Sequence, residues 1–286
     1  MIKVIKYFFQ SLMIYFFFVI GRILGLKKSQ FFFSKIFQVI GPRLKSRSVI
    51  NQNLETFNSK INQGQKNKII SQMWSNYGKT FIEYIFLHKF RKENKFLTIE
   101  NEYILENIIS KNKPVVFVSG HFANFELMSM VISKHSIKLA TIYRPLNNFF
   151  LNPFMEFLRK KYVCKNQIKK GRAGVRDAID YIGRGHSIAL MIDQRVTEGE
   201  IINLFDKPSL TTTLPAQLAL KFKLNIVPVF IRREKNNNFT IKFYKQIEHN
   251  KFKDKIEFTK YLNSQFESML IRNPEQWIWT HNRWKL

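Results

Sequence analysis

The 286-residue chain contains one cysteine, Cys164, which excludes an intrachain disulfide and every cysteine-based zinc pattern. Its six histidines, His88, His121, His135, His186, His249 and His281, fall in no metal-ligand spacing such as HExxH. No metal or other cofactor is expected. GxSxG is absent, so no nucleophile elbow is expected. No internal repeat and no long flexible linker interrupts the sequence, which leaves room for one large domain and a small appendage. Acidic residues are scarce: 20 Asp and Glu against 47 Lys and Arg give a formal net charge of +27. Such a surface draws anionic partners, whether phospholipid headgroups, sugar phosphates, an acidic carrier protein or nucleic acid. An abundance of Lys, Asn, Ile and Phe is also what an AT-rich coding genome would produce. The lysines are spread along the chain, and no zinc-finger, RRM or KH signature is present. Nucleic acid is therefore not the expected partner.

Aromatic residues are plentiful, with 29 phenylalanines. Tyr7 to Leu26 reads YFFQSLMIYFFFVIGRILGL, flanked by Lys3 and Lys6 before and by Lys27 and Lys28 after. Its uninterrupted part, Leu12 to Ile20, is short against the roughly 20 residues that a bilayer requires. Either a tilted span with snorkelling ends or a deeply seated anchor fits. No small-x-small cleavage site follows it. The expected division is an anchor over 1–28 and a catalytic domain over 29–286. Next, Phe32, Phe33, Ile36, Phe37 and Ile40 recur at helical spacing. That suits an amphipathic helix in the headgroup region or one packed on the domain. Positive charge after the anchor places the body on the cytoplasmic side.

Residues 45 to 75 read as helical, with a serine cap opening SRSVINQNL, and helical patterning continues from Trp74 to Phe90. Short β-branched runs follow at Val115–Val118, Leu139–Tyr143, Ile188–Ile192, Ile226–Ile231 and Phe239–Phe243. Helical stripes lie between most of them, such as Val175, Ala178, Ile179 and Ile182 before Gly183 and Gly185. Alternation of this kind predicts an α/β fold with a mostly parallel central sheet flanked by helices. The closely spaced last strands could pair antiparallel.

The run Val115–Val118 leads into Ser119-Gly120-His121-Phe122-Ala123-Asn124-Phe125-Glu126. A histidine at the carboxyl end of a strand sits where α/β proteins build sites. A carboxylate within reach of its ring would fix the tautomer and stabilise the imidazolium. That equipment removes a proton from a hydroxyl attacking a thioester. Alone, H-x4-E is a weak pattern, and a strand-end histidine satisfied by a backbone carbonyl reads the same way.

Gly120-His121-Phe122-x-Asn124-Phe125-Glu126, then Tyr143-Arg144-Pro145-Leu146, then Asp193-Gln194 and a final Trp277-x-Trp279-x-x-x-Arg283 change that weighting. In this order they resemble the lysophospholipid acyltransferase superfamily, and more narrowly the lipid A biosynthesis lauroyl/myristoyl acyltransferases. The resemblance covers the chain from anchor to tail. It implies His121 as general base, assisted by Glu126 holding its imidazole; the absence of a nucleophile elbow favours direct transfer without an acyl-enzyme. It implies substrate-binding roles for Asn124, Arg144, Arg159, Asp193 and Gln194. Each has a plainer alternative, such as a solvated helix face for Arg159 or a turn cap for Asp193. It further implies an acyl-carrier-protein thioester as donor, an anionic glycolipid of the Kdo-lipid IVA type as acceptor, and the bacterial inner membrane as location. Acyltransfer to another anionic lipid, such as a lysophosphatidic acid, would use the same base. A non-catalytic membrane scaffold is the remaining possibility. The chain departs from the family at Leu204-Phe205-Asp206-Lys207-Pro208, where a Phe-Phe-Gly-like element is common. Asp206 in place of glycine leaves the shape of that loop open.

Overall fold

A computed structural model describes residues 2–286. The apolar segment and the amphipathic segment form one long element, α1 (Ile2–Leu44), broken at Gly25 with φ 72 and ψ 169. Only glycine adopts that backbone without strain. Next come α2 (Arg47–Phe57), whose N-cap Ser46 Oγ accepts from Val49 N at 3.4 Å, and α3 (Gln63–Glu83), opened by an Asn62/Gln65 capping box. The expected serine cap is present. The second half of α1 packs along α3 because small residues allow close approach. A Cβ on Gly78 would overlap the Phe33 carbonyl, and one on Gly41 would overlap the Trp74 ring. Phe33 and Phe37 are buried in this seam, whereas Phe31, Phe32 and Val39 stay exposed.

After α4 (Leu87–Lys92) the chain alternates β1 (Leu97–Glu100), α5 (Tyr103–Lys111), β2 (Val116–Ser119), α6 (Glu126–Lys134), β3 (Leu139–Tyr143) and α7 (Asn152–Leu158). A π-helical turn at Arg159–Val163 extends α7. Then follow β4 (Asn166–Lys169), α8 (Arg172–Gly183), β5 (Ser187–Met191), β6 (Glu200–Leu204), β7 (Lys207–Thr211), α9 (Leu214–Phe222), β8 (Ile226–Arg233), β9 (Phe239–Phe243) and α10 (Lys255–Arg272). The central sheet has seven strands in the order β1-β9-β8-β2-β5-β3-β4. Every neighbouring pair is parallel except the β8–β9 hairpin. The α/β architecture and the antiparallel last pair are as the sequence predicts. The buried strands β2, β5 and β8 are nearly continuous apolar runs, as parallel strands covered on both faces must be. The edge strands β1 and β4 escape sequence reading because they are short and mixed; in Asn166-Gln167-Ile168-Lys169 only Ile168 is buried.

The departure at 204–208 is a separate β6–β7 hairpin. Its turn residues Phe205 and Asp206 have φ of 51° and 55°. Both positions of a two-residue I′ turn require positive φ, which asparagine or glycine meets at lowest cost. Packing compensates: Phe205 N donates to Glu267 Oε1 at 2.6 Å, and its ring lies 5.1 Å from that of Phe57. Asp206→Gly is expected to raise stability by roughly 0.5–1 kcal/mol, because it relieves the left-handed strain faster than it loosens the unfolded chain.

One buried charge pair ties the layers together. Glu83 accepts from Gln30 Nε2 of α1 at 2.6 Å, from Asn124 Nδ2 at 3.0 Å, and from both terminal nitrogens of Arg233 on β8. Arg233 Nε reaches Asn76 Oδ1 at 2.8 Å, and its Cζ sits 4.5 Å from the Phe239 ring centroid. Removing one member strands the other charge in the core. Glu83→Ala should therefore cost about 3–5 kcal/mol, measured by denaturant unfolding in detergent.

Candidate active site

Three neighbouring strands deliver the site. In the β2–β5 register Ser119 lies beside Met191, so residues two beyond each, His121 and Asp193, leave the sheet abreast. Arg144 leaves the end of β3, the next strand over. After His121 the backbone turns sharply, with Ala123 at φ 45. That turn is clamped: Ala123 N donates to Gln276 O at 2.9 Å, and its carbonyl accepts from Thr80 Oγ1 at 3.0 Å.

The His121 Nδ1 atom lies 2.8 Å from Asp193 Oδ1. Asp193 Oδ2 accepts from His121 N at 3.0 Å and from Trp277 Nε1 at 2.7 Å. Burial would push this carboxyl up, but the His121 charge, the two His121 donors and the indole bring it down to about 2. An ionised carboxylate only accepts, so Nδ1 carries a proton, and in the neutral ring the lone pair lies on Nε2. Among the described residues Nε2 has no hydrogen-bond partner, and the imidazole borders a cavity of about 360 Å³.

The expectation that Glu126 holds the imidazole is corrected: the carboxylate on the ring is Asp193. Glu126 Oε1 instead accepts from Arg159 Nε at 2.8 Å and from Tyr84 OH at 2.7 Å. The reason is local. The left-handed residue at 123 separates the two side chains, and Glu126 begins α6 facing α3 and the π-helical turn. Arg159 is 8% exposed rather than on a solvated face, and its Nη1 is buried without a partner. Burial opposes its charge, but Glu126 and Tyr84 overcome that and raise its pKa. Tyr84 is pushed up by burial first and by Glu126 next, so it stays a neutral donor.

Arg144, Arg159 and Gln194 border the same cavity as His121 and Glu126. Asn124 does not. It is 1% exposed and turned onto Glu83, so the expectation of direct substrate contact gives way to a structural position. Lys170 also lines the cavity and escaped sequence reading, since a lysine among so many carries no signal. Trp277 belongs to a recognised tail pattern, but its bond to Asp193 could not be read from spacing. A second, mostly apolar cavity of about 340 Å³ shares Phe125, Leu146 and Arg159 with the first. Ile14 and Phe18 of α1 line its far side.

The charge on Asp193 gives a pH signature. Because its folded value of about 2 lies below the ordinary 3.8, it stabilises the fold above pH 3.8, and that stability is lost as pH falls toward 2. Asp193→Asn should flatten this acid limb in thermal melts. It should also lower kcat by roughly 10³–10⁴-fold, because the imidazole would lose its enforced tautomer.

A family model described as bacterial lipid A biosynthesis acyltransferase matches residues 1–286. The chain is 22% identical over 252 residues to the lipid A biosynthesis palmitoleoyltransferase of Escherichia coli K12, covering 85% of this chain and 80% of that protein. The same figures hold for the lipid A biosynthesis acyltransferase of Shigella flexneri. The crystal structure of the 1-acyl-sn-glycerophosphate acyltransferase of Thermotoga maritima aligns with a TM-score of 0.42 at 14% identity, covering 89% of this chain and 100% of that one. The full-length match places the chain in the bacterial lipid A biosynthesis acyltransferase family, and it is an acyltransferase.

Proposed function

We propose that the protein transfers a fatty acyl chain from an acyl-carrier-protein thioester to a hydroxyl of a lipid A precursor at the cytoplasmic face of the inner membrane, with His121 as general base. The observation that carries the base assignment is the open Nε2 of His121, backed by Asp193, in a cavity that Arg159 also lines. His121 Nε2 takes the proton from the acceptor hydroxyl as its oxygen attacks the thioester carbonyl carbon. The C–S bond then breaks, and the departing thiolate takes the proton back from the imidazolium. Arg159, fixed by Glu126 and Tyr84 in the cavity wall, places its positive charge beside the carbonyl oxygen as negative charge develops there. Glu126 thus acts through Arg159 rather than through the imidazole.

The acyl chain occupies the apolar cavity that meets the first at Arg159. Arg144 and Lys170 at the rim attract the acceptor's phosphate. A cavity of about 360 Å³ admits only the hydroxyl-bearing arm of a large glycolipid, leaving its sugars outside. A lysophosphatidic acid meets the same requirements of hydroxyl, negative charge and size, and is the competing acceptor.

Purified membranes supplied with lauroyl- or myristoyl-acyl carrier protein should acylate a Kdo-containing lipid A precursor in preference to lysophosphatidic acid. His121→Ala should abolish transfer. Arg159→Lys should lower kcat roughly 10²–10³-fold, because one ammonium cannot reproduce the forked contacts to Glu126 and Tyr84 that fix the charge in the cavity wall. Preference for lysophosphatidic acid would replace the acceptor while keeping the base, and transfer surviving His121→Ala would overturn the mechanism.

A further inference from the structure

We infer that the apolar half of α1 does not cross the bilayer. It lies along the catalytic domain, and together with the loop after β3 it forms one surface embedded in a single leaflet of anionic phospholipid. The stretch 2–24 is long enough to span, at roughly 34 Å for a continuous helix. It has no free length in which to do so. Near its start, Asn148 Nδ2 donates to Tyr7 O at 2.8 Å and the Tyr7 ring lies 6.0 Å from Phe149. Midway, Tyr15 OH donates to Phe150 O at 2.9 Å, and Phe18 stacks on Phe81 at 5.2 Å. Near its end, Gly21 fits against Ile82 and Arg22 Nη1 meets His88 Nε2 at 3.2 Å. A transverse crossing would either drag α3, α7 and their polar groups through hydrocarbon or tear these contacts apart. It would also remove Ile14 and Phe18 from the wall of the apolar cavity.

The opposite side of the helix is made for lipid. Ile5, Phe9, Leu12, Phe16, Val19 and Ile23 are all exposed, at alternating spacings of four and three, which is one continuous helical face. The stripe continues onto the domain: Phe8 touches Phe150 at 5.7 Å, and beside it Leu146, Phe149 and, on α7, Phe157 are exposed. Lysines border the patch, with Lys3 and Lys6 at one end of the stripe and Lys27 and Lys28 at the other. Lys161 Nζ sits 5.2 Å from the Phe157 ring centroid. Apolar interior with a cationic rim is the complement of an anionic leaflet, into which such a helix sinks by about 5–10 Å. Leu146 borders both cavities, so lipid reaches the site without leaving the membrane surface.

Buried Cys164 makes the full-length chain suited to thiol mapping. Lys3→Cys and Lys27→Cys flank the apolar segment. In inside-out membrane vesicles an impermeant maleimide should label both, and in intact spheroplasts neither. Labelling from opposite sides would overturn the inference. In nanodiscs of phosphatidylethanolamine and phosphatidylglycerol, an environment-sensitive fluorophore on Phe149→Cys should be quenched by doxyl-labelled lipid as strongly as one on Phe9→Cys. Lys111→Cys, on the opposite end of the sheet, should be spared. Quenching at 9 without quenching at 149 would overturn the loop's part. None of these readouts depends on acyl transfer or on the identity of its acceptor.

Discussion

A carboxylate buried to 2% exposure cannot remain ionised unless donors surround it, and Asp193 draws its donors from distant parts of the chain. His121 contributes its ring and its backbone N–H from the end of β2, and Trp277 contributes its indole from the C-terminal tail. The tail is held in turn by Arg283, whose terminal nitrogens reach Leu210 O at 3.0 Å and Thr211 Oγ1 at 2.7 Å on β7. Trp277 and Trp279 meet edge to face with centroids 4.7 Å apart. One electrostatic demand therefore orients the His121 imidazole, seats the tail and fixes the strand-end turn. Loosening any of these exposes the same buried charge.

The limits of sequence reading follow from that geometry. The parallel strands appeared as apolar runs, and β3 and β9 fall where the pattern placed them. His121, Arg144, Arg159, Asp193 and Gln194 were visible as motif residues. Which carboxylate faces the imidazole was not, because it depends on strand order. β5 inserts between β2 and β3 although it comes later in the chain. Proximity in sequence favoured Glu126, five residues from the histidine; lateral register favours Asp193, 72 residues away. Asn124 shows the same limit, since its amide serves a glutamate 41 residues earlier, on α3.

The two buried carboxylates nearest the cavity divide their work. Asp193 orients an imidazole, and Glu126 orients a guanidinium. Arg159 is further confined between aromatic faces, its Cζ 5.8 Å from the Tyr84 centroid and 5.4 Å from that of Tyr143. Its place on a π-helical turn gives the guanidinium a different angle from that of a regular α-helix, and such turns recur at functional sites. A donor fixed in this way needs little reorganisation when charge develops on a nearby oxygen, which is the condition under which electrostatic stabilisation is most effective.

The same logic bears on α1. Hydropathy divides the chain near residue 28, but packing runs straight across that point. Gln30 of α1 donates to Glu83, which also accepts from Asn124 in the turn that follows His121. Thr80 of α3 holds the strained Ala123 carbonyl and also accepts from Arg233 Nη2 at 3.0 Å. The second half of α1 is thus wired by buried polar contacts to the turn that carries His121. Such contacts hold only at one separation, because the core is close-packed. In the proposed seating of α1, these contacts set the height of His121 above the leaflet, and with it which hydroxyl of a lipid acceptor the proposed base would reach.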